Sequence, residues 1–373
     1  MDTVNVSIDS LPARVPPGTT ILDAARTLGI EIPTLCLEPG IAPSGNCRVC
    51  VVEVEGSRTL VGSCHTPCAD GMKVSTRSPR VLAARKAVIE LLLTSHTGSC
   101  VTDTEARACT LHKLASDLEA GPPRFHVRTP RLYPPEQTNP YVLRDLSKCI
   151  LCRKCIRACT DIAGQRIYSM AYRGAASKVV VDCDVPLTKE VCKDCGICID
   201  ACPTSALLWP DGTKNRVKGQ GSRVKEEPAM QNGTRETLLD LLKETDRTTG
   251  FLSEEALTQI ATSIQMSVGD AYGTATFYSF LSTKPQGRHV IRICKSLPCF
   301  LKDAPMIIAR VRETLGIAPG ETTADGCFSF ELSNCIGACD QAPAMLLDDT
   351  LYGSLTPDRI TDILHTYRRT DRD

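Results

Sequence analysis

Residues 149–159 read CILCRKCIRAC, and residues 192–202 read CKDCGICIDAC. Both runs have the form C-x2-C-x2-C-x3-C, with Thr160 after the first and Pro203 after the second. The repeat marks 145–210 as a segment organised around sulfur. The rest of the chain agrees. Cysteine occupies 21 of 373 positions, an odd number that internal disulfides cannot exhaust. The cysteines fall in groups at 36–68, 100–109, 149–202 and 294–339, and 203–293 has none.

Composition bounds the function. Lys+Arg and Asp+Glu both total 43, so the formal charge is zero, which speaks against a nucleic-acid binder or a polybasic membrane adsorber. No stretch approaches about 18 uncharged apolar residues, so no membrane span is expected. Met1-Asp2-Thr3-Val4 opens no basic or apolar leader region. The expectation is a cytoplasmic protein in a reducing compartment, where clustered cysteines serve metal or redox chemistry rather than disulfides. Aromatics are only 4%, so the core must be mostly aliphatic.

Patterning predicts an α+β multidomain chain. Val4, Val6 and Ile8 suggest a strand, Pro16-Pro17-Gly18 a turn, and Thr20 with Asp23 the cap of a helix that Gly29 ends. A strand is expected at 49–54. This module spans 1–78. A helical period runs through 79–118, in a segment taken as 79–120, and proline-rich 121–141 reads as an extended entry to the repeat, 121–210. Residues 211–232 have linker composition. In 233–373, Leu238, Leu239, Leu241 and Leu242 make an apolar face, and Ser253 and Ser267 can cap the next two helices. Strands at 289–293, 328–332 and 344–347 then alternate with helices at 304–315 and after Thr356-Pro357, which suggests an α/β sandwich.

The two runs carry the bacterial ferredoxin spacing, in which the fourth cysteine of each run ligates the other run's cluster. That rule assigns Cys149, Cys152, Cys155 and Cys202 to one [4Fe–4S] cluster. It assigns Cys192, Cys195, Cys198 and Cys159 to a second. Cys183 fits neither and is expected to be a buried structural thiol.

Cys36, Cys47, Cys50 and Cys64 form C-x10-C-x2-C-x13-C. Four converging thiolates suit an iron–sulfur cluster, and Ser44 and Gly45 let the loop bend around it. Zinc can also take four cysteines with a C-x2-C pair. The layout of strand, hairpin, helix, loop and strand is that of a β-grasp. The segment resembles a plant-type [2Fe–2S] ferredoxin, in the variant found in the large iron–sulfur subunit of respiratory complex I. Cys68 lies beyond the pattern.

His96-x3-Cys100-x2-Asp103-x5-Cys109 matches the spacing of the His/Cys3 [4Fe–4S] site of complex I and several hydrogenases, with Asp103 at the third position. CTLHKLA after it resembles the helix that follows the cluster in that family. Three readings stand: Asp103 as a hard carboxylate ligand, a three-iron cluster, or a lost site on a retained scaffold; the expectation is a third [4Fe–4S] cluster, held by His96, Cys100, Asp103 and Cys109.

Cys294, Cys299, Cys335 and Cys339 form C-x4-C-x35-C-x3-C. Together with AYGTATFYSF and RHVIRICKSLPC, the spacing resembles the thioredoxin-like [2Fe–2S] subunit of complex I and of hydrogenase diaphorases. A disulfide oxidoreductase would use C-x-x-C, absent from this module. Cys327 is expected to serve packing. Gly219-x-Gly221 lacks the third glycine of a dinucleotide fingerprint. His65, His112, His126, His289 and His365 show no ligand spacing to one another and are expected to be solvated or hydrogen-bonded.

RDLSKCILCRKCIRAC and KDCGICIDACPTSAL carry the most specific resemblance, to the diaphorase iron–sulfur subunit of NAD-linked [NiFe] hydrogenases and the first segment of complex I's large iron–sulfur subunit. The chain would join that subunit to the thioredoxin-like one. The resemblance implies a partner holding FMN, an NAD(H) site and its own cluster, and a role in relaying single electrons to hydrogenase or formate dehydrogenase subunits or to ferredoxin, with electron bifurcation as one form. No complete turnover is expected from the chain alone. A zinc- or thiol-based sensor is the alternative of another class.

Overall fold

The computed structural model describes residues 3–97, 109–125, 131–192, 194–211 and 237–370. Cys100, Asp103, His126 and the expected linker beyond Asp211 lie outside these ranges. The chain separates into two compact units, 1–231 and 232–373.

In the first unit, β1 (Val4–Ile8) and β2 (Leu11–Val15) form a hairpin. Asp9 and Ser10 close it with both φ angles positive, the backbone that suits the right-handed twist of the flanking strands. Helix α1 (Ile21–Thr27) starts where the Thr20 hydroxyl oxygen accepts from the Asp23 N–H at 3.1 Å, and it buries Ile21, Leu22, Ala24 and Ala25. Strands β3 (Val51–Val54), β4 (Val61–Gly62) and β5 (Met72–Ser75) complete a sheet of order β2-β1-β5-β3-β4, in which only β1 and β5 pair parallel. This is the β-grasp layout. The expected hairpin supplies β2, whereas strands β4 and β5 escape a sequence reading. Pro12 weakens β2, which lies at the sheet edge where proline is tolerated, and β4 has two residues.

Within the helical period through 79–118 the described residues form two helices, α2 (Pro79–Thr94) and α3 (Thr110–Asp117). Ser78 caps the first, accepting from the Val81 N–H at 3.3 Å. Then β6 (Leu143–Arg144), α4 (Lys154–Arg157), β7 (Tyr168–Ala171), β8 (Lys178–Val181), α5 (Ile197–Ala201) and β9 (Leu207–Leu208) build the repeat segment. β6 pairs with β9 and β7 with β8, both antiparallel. Val142, Tyr168, Val179, Val181, Leu187, Ile199 and Trp209 pack around the cysteines.

The second unit opens with α6 (Leu238–Thr249), α7 (Glu254–Ser263) and α8 (Val268–Phe277). It continues through β10 (His289–Cys294), α9 (Leu297–Leu301), α10 (Ala304–Leu315), β11 (Glu321–Thr322), β12 (Phe328–Ser333), β13 (Met345–Leu347), β14 (Thr350–Tyr352) and α11 (Pro357–Thr370). The sheet order is β11-β12-β10-β13-β14, with a parallel central pair β10 and β12. Ile307 and Val311 of α10 and Ile360 and Leu364 of α11 join Ile291, Phe328, Phe330 and Leu347 of the sheet in one core. Among the described residues no helix is long and apolar enough to cross a membrane.

The caps of α7 and α8 are Ser253 and Ser267, whose hydroxyl oxygens accept from Ala256 and Asp270 N–H groups at 3.1 Å. Ser253→Ala orphans one such donor. It should lower the unfolding free energy of the 232–373 unit by about 1 kcal/mol, read as a lower urea midpoint at unchanged slope.

Candidate metal centres

In the β-grasp unit, the loop after α1 carries Cys36, Cys47 and Cys50, and Cys64 follows β4. All four are buried. They form two close pairs. Cys47 hydrogen-bonds the Cys36 sulfur through its thiol and through its N–H at 3.5 Å, which draws the Cys36 thiol down to about 5. Cys64 does the same to Cys50, drawn down to about 6, while the donors Cys47 and Cys64 are pushed up. A [2Fe–2S] rhomb takes two protein sulfurs on each iron, and two thiol pairs are that donor set. Gly62 leaves room for the loop. A Cβ there would stand 2.3 Å from His65.

In the repeat segment, Cys149, Cys152, Cys155 and Cys202 line one cavity with Ile150, Tyr168, Val179 and Leu207. Burial raises the Cys149 thiol to about 11 and pushes Cys152 and Cys155 up as well. After burial, the charge of Cys202 is the strongest influence raising Cys152. The other four sulfurs act on one another: burial raises Cys159, Cys192 and Cys198, Cys159 is raised further by Cys195 and Cys192, and Cys198 by Cys159, Cys192 and Cys195. Cys202, the fourth cysteine of the second run, therefore shares a cavity with the first three of the first run, and Cys159 lies within electrostatic reach of Cys192, Cys195 and Cys198. The backbone repeats with the sequence. Leu151 and Arg153 in the first run, and Asp194 and Gly196 in the second, are left-handed.

Three residues at these sites carry no sequence signal. The Tyr168 hydroxyl lies 3.9 Å from the Cys198 sulfur. Trp209 packs on Gly196, where a Cβ would meet its ring at 2.5 Å. Arg144, 2% exposed, lines the Cys149/Cys152/Cys155/Cys202 cavity and reaches Glu136 at 3.3 Å. Buried thiols that must lose protons, an apolar wall and one buried cation fit an anionic thiolate-bound cluster.

In the second unit, Cys294 ends β10 and Cys299 lies in α9, both buried. Burial pushes Cys294 up, but hydrogen bonds from Ser296 and Cys299 outweigh it and leave the thiol lowered. Cys335 and Cys339 are exposed, with sulfurs 3.6 Å apart. Left-handed Gly337 turns the loop between them, and its N–H points at the Cys335 sulfur at 3.4 Å. Two pairs again result.

His96 is buried, and its Nδ1 donates to the Lys148 carbonyl at 2.8 Å. Its Nε2 lies 3.7 Å from the Cys109 sulfur. His112, expected to be a solvated or hydrogen-bonded side chain without ligand spacing, places Nδ1 3.2 Å from the same sulfur. The available signal was its position three residues after Cys109, the N-cap of α3, which brings His112 in the first turn back toward that residue. Cys68 and Cys327 are buried in the apolar cores of their units. Cys183 is only half-buried rather than buried, because it lies beyond β8 in a turn flanked by left-handed Asp182 and Asp184.

The fold and these sites define a chain built from ferredoxin-type iron–sulfur domains. Residues 1–79 match the 2Fe-2S iron-sulfur cluster binding domain, 139–208 the ferredoxin-like domain of NADH-quinone oxidoreductase subunit 3, and 224–368 the thioredoxin-like [2Fe-2S] ferredoxin family. The chain is 40% identical over 220 residues to the NADP-reducing hydrogenase subunit HndD of Solidesulfovibrio fructosivorans, covering 56% of this chain and 36% of that protein. It is 32% identical over 206 residues to the mitochondrial NADH dehydrogenase [ubiquinone] iron-sulfur protein 1 of Solanum tuberosum, covering 55% of this chain and 27% of that one. The chain thus spans about a third or less of these relatives. A crystal structure of an NAD+-reducing [NiFe]-hydrogenase in the H2-reduced state aligns with TM-score 0.49 and 26% identity, over 56% of this chain and 87% of the matched chain. The chain resembles the iron–sulfur subunits of hydrogenase diaphorases and complex I, joined to their thioredoxin-like [2Fe–2S] subunit.

Proposed function

We propose that this chain is the iron–sulfur electron-transfer subunit of an NAD(P)(H)-linked, flavin-containing oxidoreductase of the hydrogenase or NADH-dehydrogenase type. The observation that carries it is the convergence of Cys149, Cys152 and Cys155 with Cys202 on one cavity. Cys36 with Cys47, Cys50 with Cys64, Cys294 with Cys299, and Cys335 with Cys339 supply the ligand pairs of two [2Fe–2S] clusters. Cys149, Cys152, Cys155 and Cys202 hold one [4Fe–4S] cluster, and Cys192, Cys195, Cys198 and Cys159 a second. Such clusters exchange one electron at a time, whereas a nicotinamide exchanges a hydride, so a flavin subunit must stand between them. The protein's part is to exclude water, hold sulfur and set the local charge. The Cys335 and Cys339 edge suits a docked partner. Leu297, Phe300 and Leu301 in the neighbouring α9 leave 68%, 58% and 70% of their surface exposed. Hydrogenase or formate dehydrogenase subunits, or a ferredoxin, are the acceptors or donors at the far end.

Iron and acid-labile sulfide on the anaerobically purified chain test this. About 12 of each per chain is the expected result. Zinc at the four-cysteine sites with little sulfide would overturn the reading in favour of a metal sensor.

A further inference from the structure

His96, Cys109 and His112 bring one sulfur and two imidazole nitrogens within 4.8 Å of one another. Among the described residues, no three cysteines of the four-cysteine sets approach so closely. We propose that these three side chains bind a single tetrahedral divalent cation of the zinc class, where the spacing of His96, Cys100, Asp103 and Cys109 suggests a cubane.

Distance separates the two cases. Ligands of a cubane sit on different irons and point away from its centre, so their donor atoms stand more than twice as far apart as the irons do. Ligands of one ion share its centre. Metal bonds of about 2.3 Å to sulfur and about 2.0–2.1 Å to nitrogen set a tetrahedral sulfur–nitrogen edge of about 3.6 Å. The observed separations, 3.7 Å from His96 Nε2 to Cys109 Sγ and 3.2 Å from His112 Nδ1 to the same sulfur, bracket that edge.

The tautomer is also set. The Lys148 carbonyl can only accept, so His96 carries its proton on Nδ1 and presents the Nε2 lone pair to Cys109. A backbone carbonyl that fixes the ring in this way is the usual orienting partner of a metal-bound histidine. Cys109 is 0% exposed and His96 8%, so an ion here would be shielded from competing water on two sides. One sulfur and two nitrogens form a borderline donor set that suits zinc better than a hard cation. Binding replaces the Cys109 thiol proton, which passes to solvent, and leaves one coordination position for water or a further donor. The ion would tie the end of α2 to the start of α3 beside the entry to the first cysteine run.

The test quantifies iron, sulfide and zinc on the anaerobic full chain, with zinc X-ray absorption to read the ligand shell. The expected result is about one zinc beside about 12 iron, in a nitrogen-rich shell with one sulfur. His112→Asn should cut zinc about tenfold while iron stays constant, and His112→Cys should keep the zinc with one more sulfur in its shell. Iron retained in each variant shows that the chain has folded. About 16 iron with no zinc, zinc absent beside about 12 iron, or zinc undiminished in His112→Asn each overturn the proposal. Loss of iron and sulfide from the wild-type chain would instead strike the electron-transfer reading and leave this site to the zinc spectrum.

Discussion

Cys202→Ala and Cys152→Ala should abolish the same [4Fe–4S] signal, although fifty residues of chain separate them. Cys159→Ala and Cys195→Ala should together abolish the other. The reason is the crossing of the two runs. Cys202 shares a cavity with Cys149, Cys152 and Cys155, and burial followed by Cys202 dominates the upward shift of Cys152. Cys159 and Cys198 are raised by burial and then by cysteines of the second set. Electron paramagnetic resonance of the reduced variants reads the pairing directly, and iron analysis gives its size, a loss of about four irons of about 12 per variant. If Cys202→Ala instead matched Cys195→Ala, each run would hold its own cluster. Serine is the weaker substitution here, because its oxygen can still bind iron.

The ferredoxin rule turns a local spacing into an expected contact, and the cavity shared by Cys202 with Cys149, Cys152 and Cys155 supports it. The broad fold was legible in local pattern. Alternating Val4, Val6 and Ile8, the Thr20 and Ser253 caps and the β-branched run before Cys294 act through nearest neighbours. What failed depends on partners distant in sequence. Strand β5 is held by β1 on one side and β3 on the other, and MKVS alone carries too little apolar character to announce it. Arg144 reads as an ordinary surface charge until β6 and β9 pair and bury it beside the cysteine cavity. His112 stands three residues after Cys109, a spacing between a histidine and a thiol that the pattern of histidines alone does not carry.

Gly196→Ala should cost about 2–5 kcal/mol and remove the Cys192/Cys195/Cys198/Cys159 cluster before the others. Two separate strains add. Gly196 has φ of +66°, a left-handed backbone that costs an L-residue about 1–2 kcal/mol. Its Cβ would also stand 2.5 Å from the buried Trp209 ring, an overlap in a packed core worth about another 1–3 kcal/mol. The first run separates these contributions. Arg153 occupies the equivalent position with φ of +62°, so the left-handed turn by itself is tolerated by a side chain. The need for glycine at 196 therefore comes chiefly from Trp209. A double-mutant cycle checks it. In a Trp209→Leu background the added methyl has space, and the cost of Gly196→Ala should fall to the backbone part, about 1–2 kcal/mol, with the second cluster recovered in part. An undiminished cost in that background would place the whole penalty in the turn and leave the tolerance of Arg153 without an explanation. The cluster reads the strain as well as the unfolding curve does, because Gly196 follows Cys195 directly and any shift that relieves the ring contact moves that sulfur away from the other three.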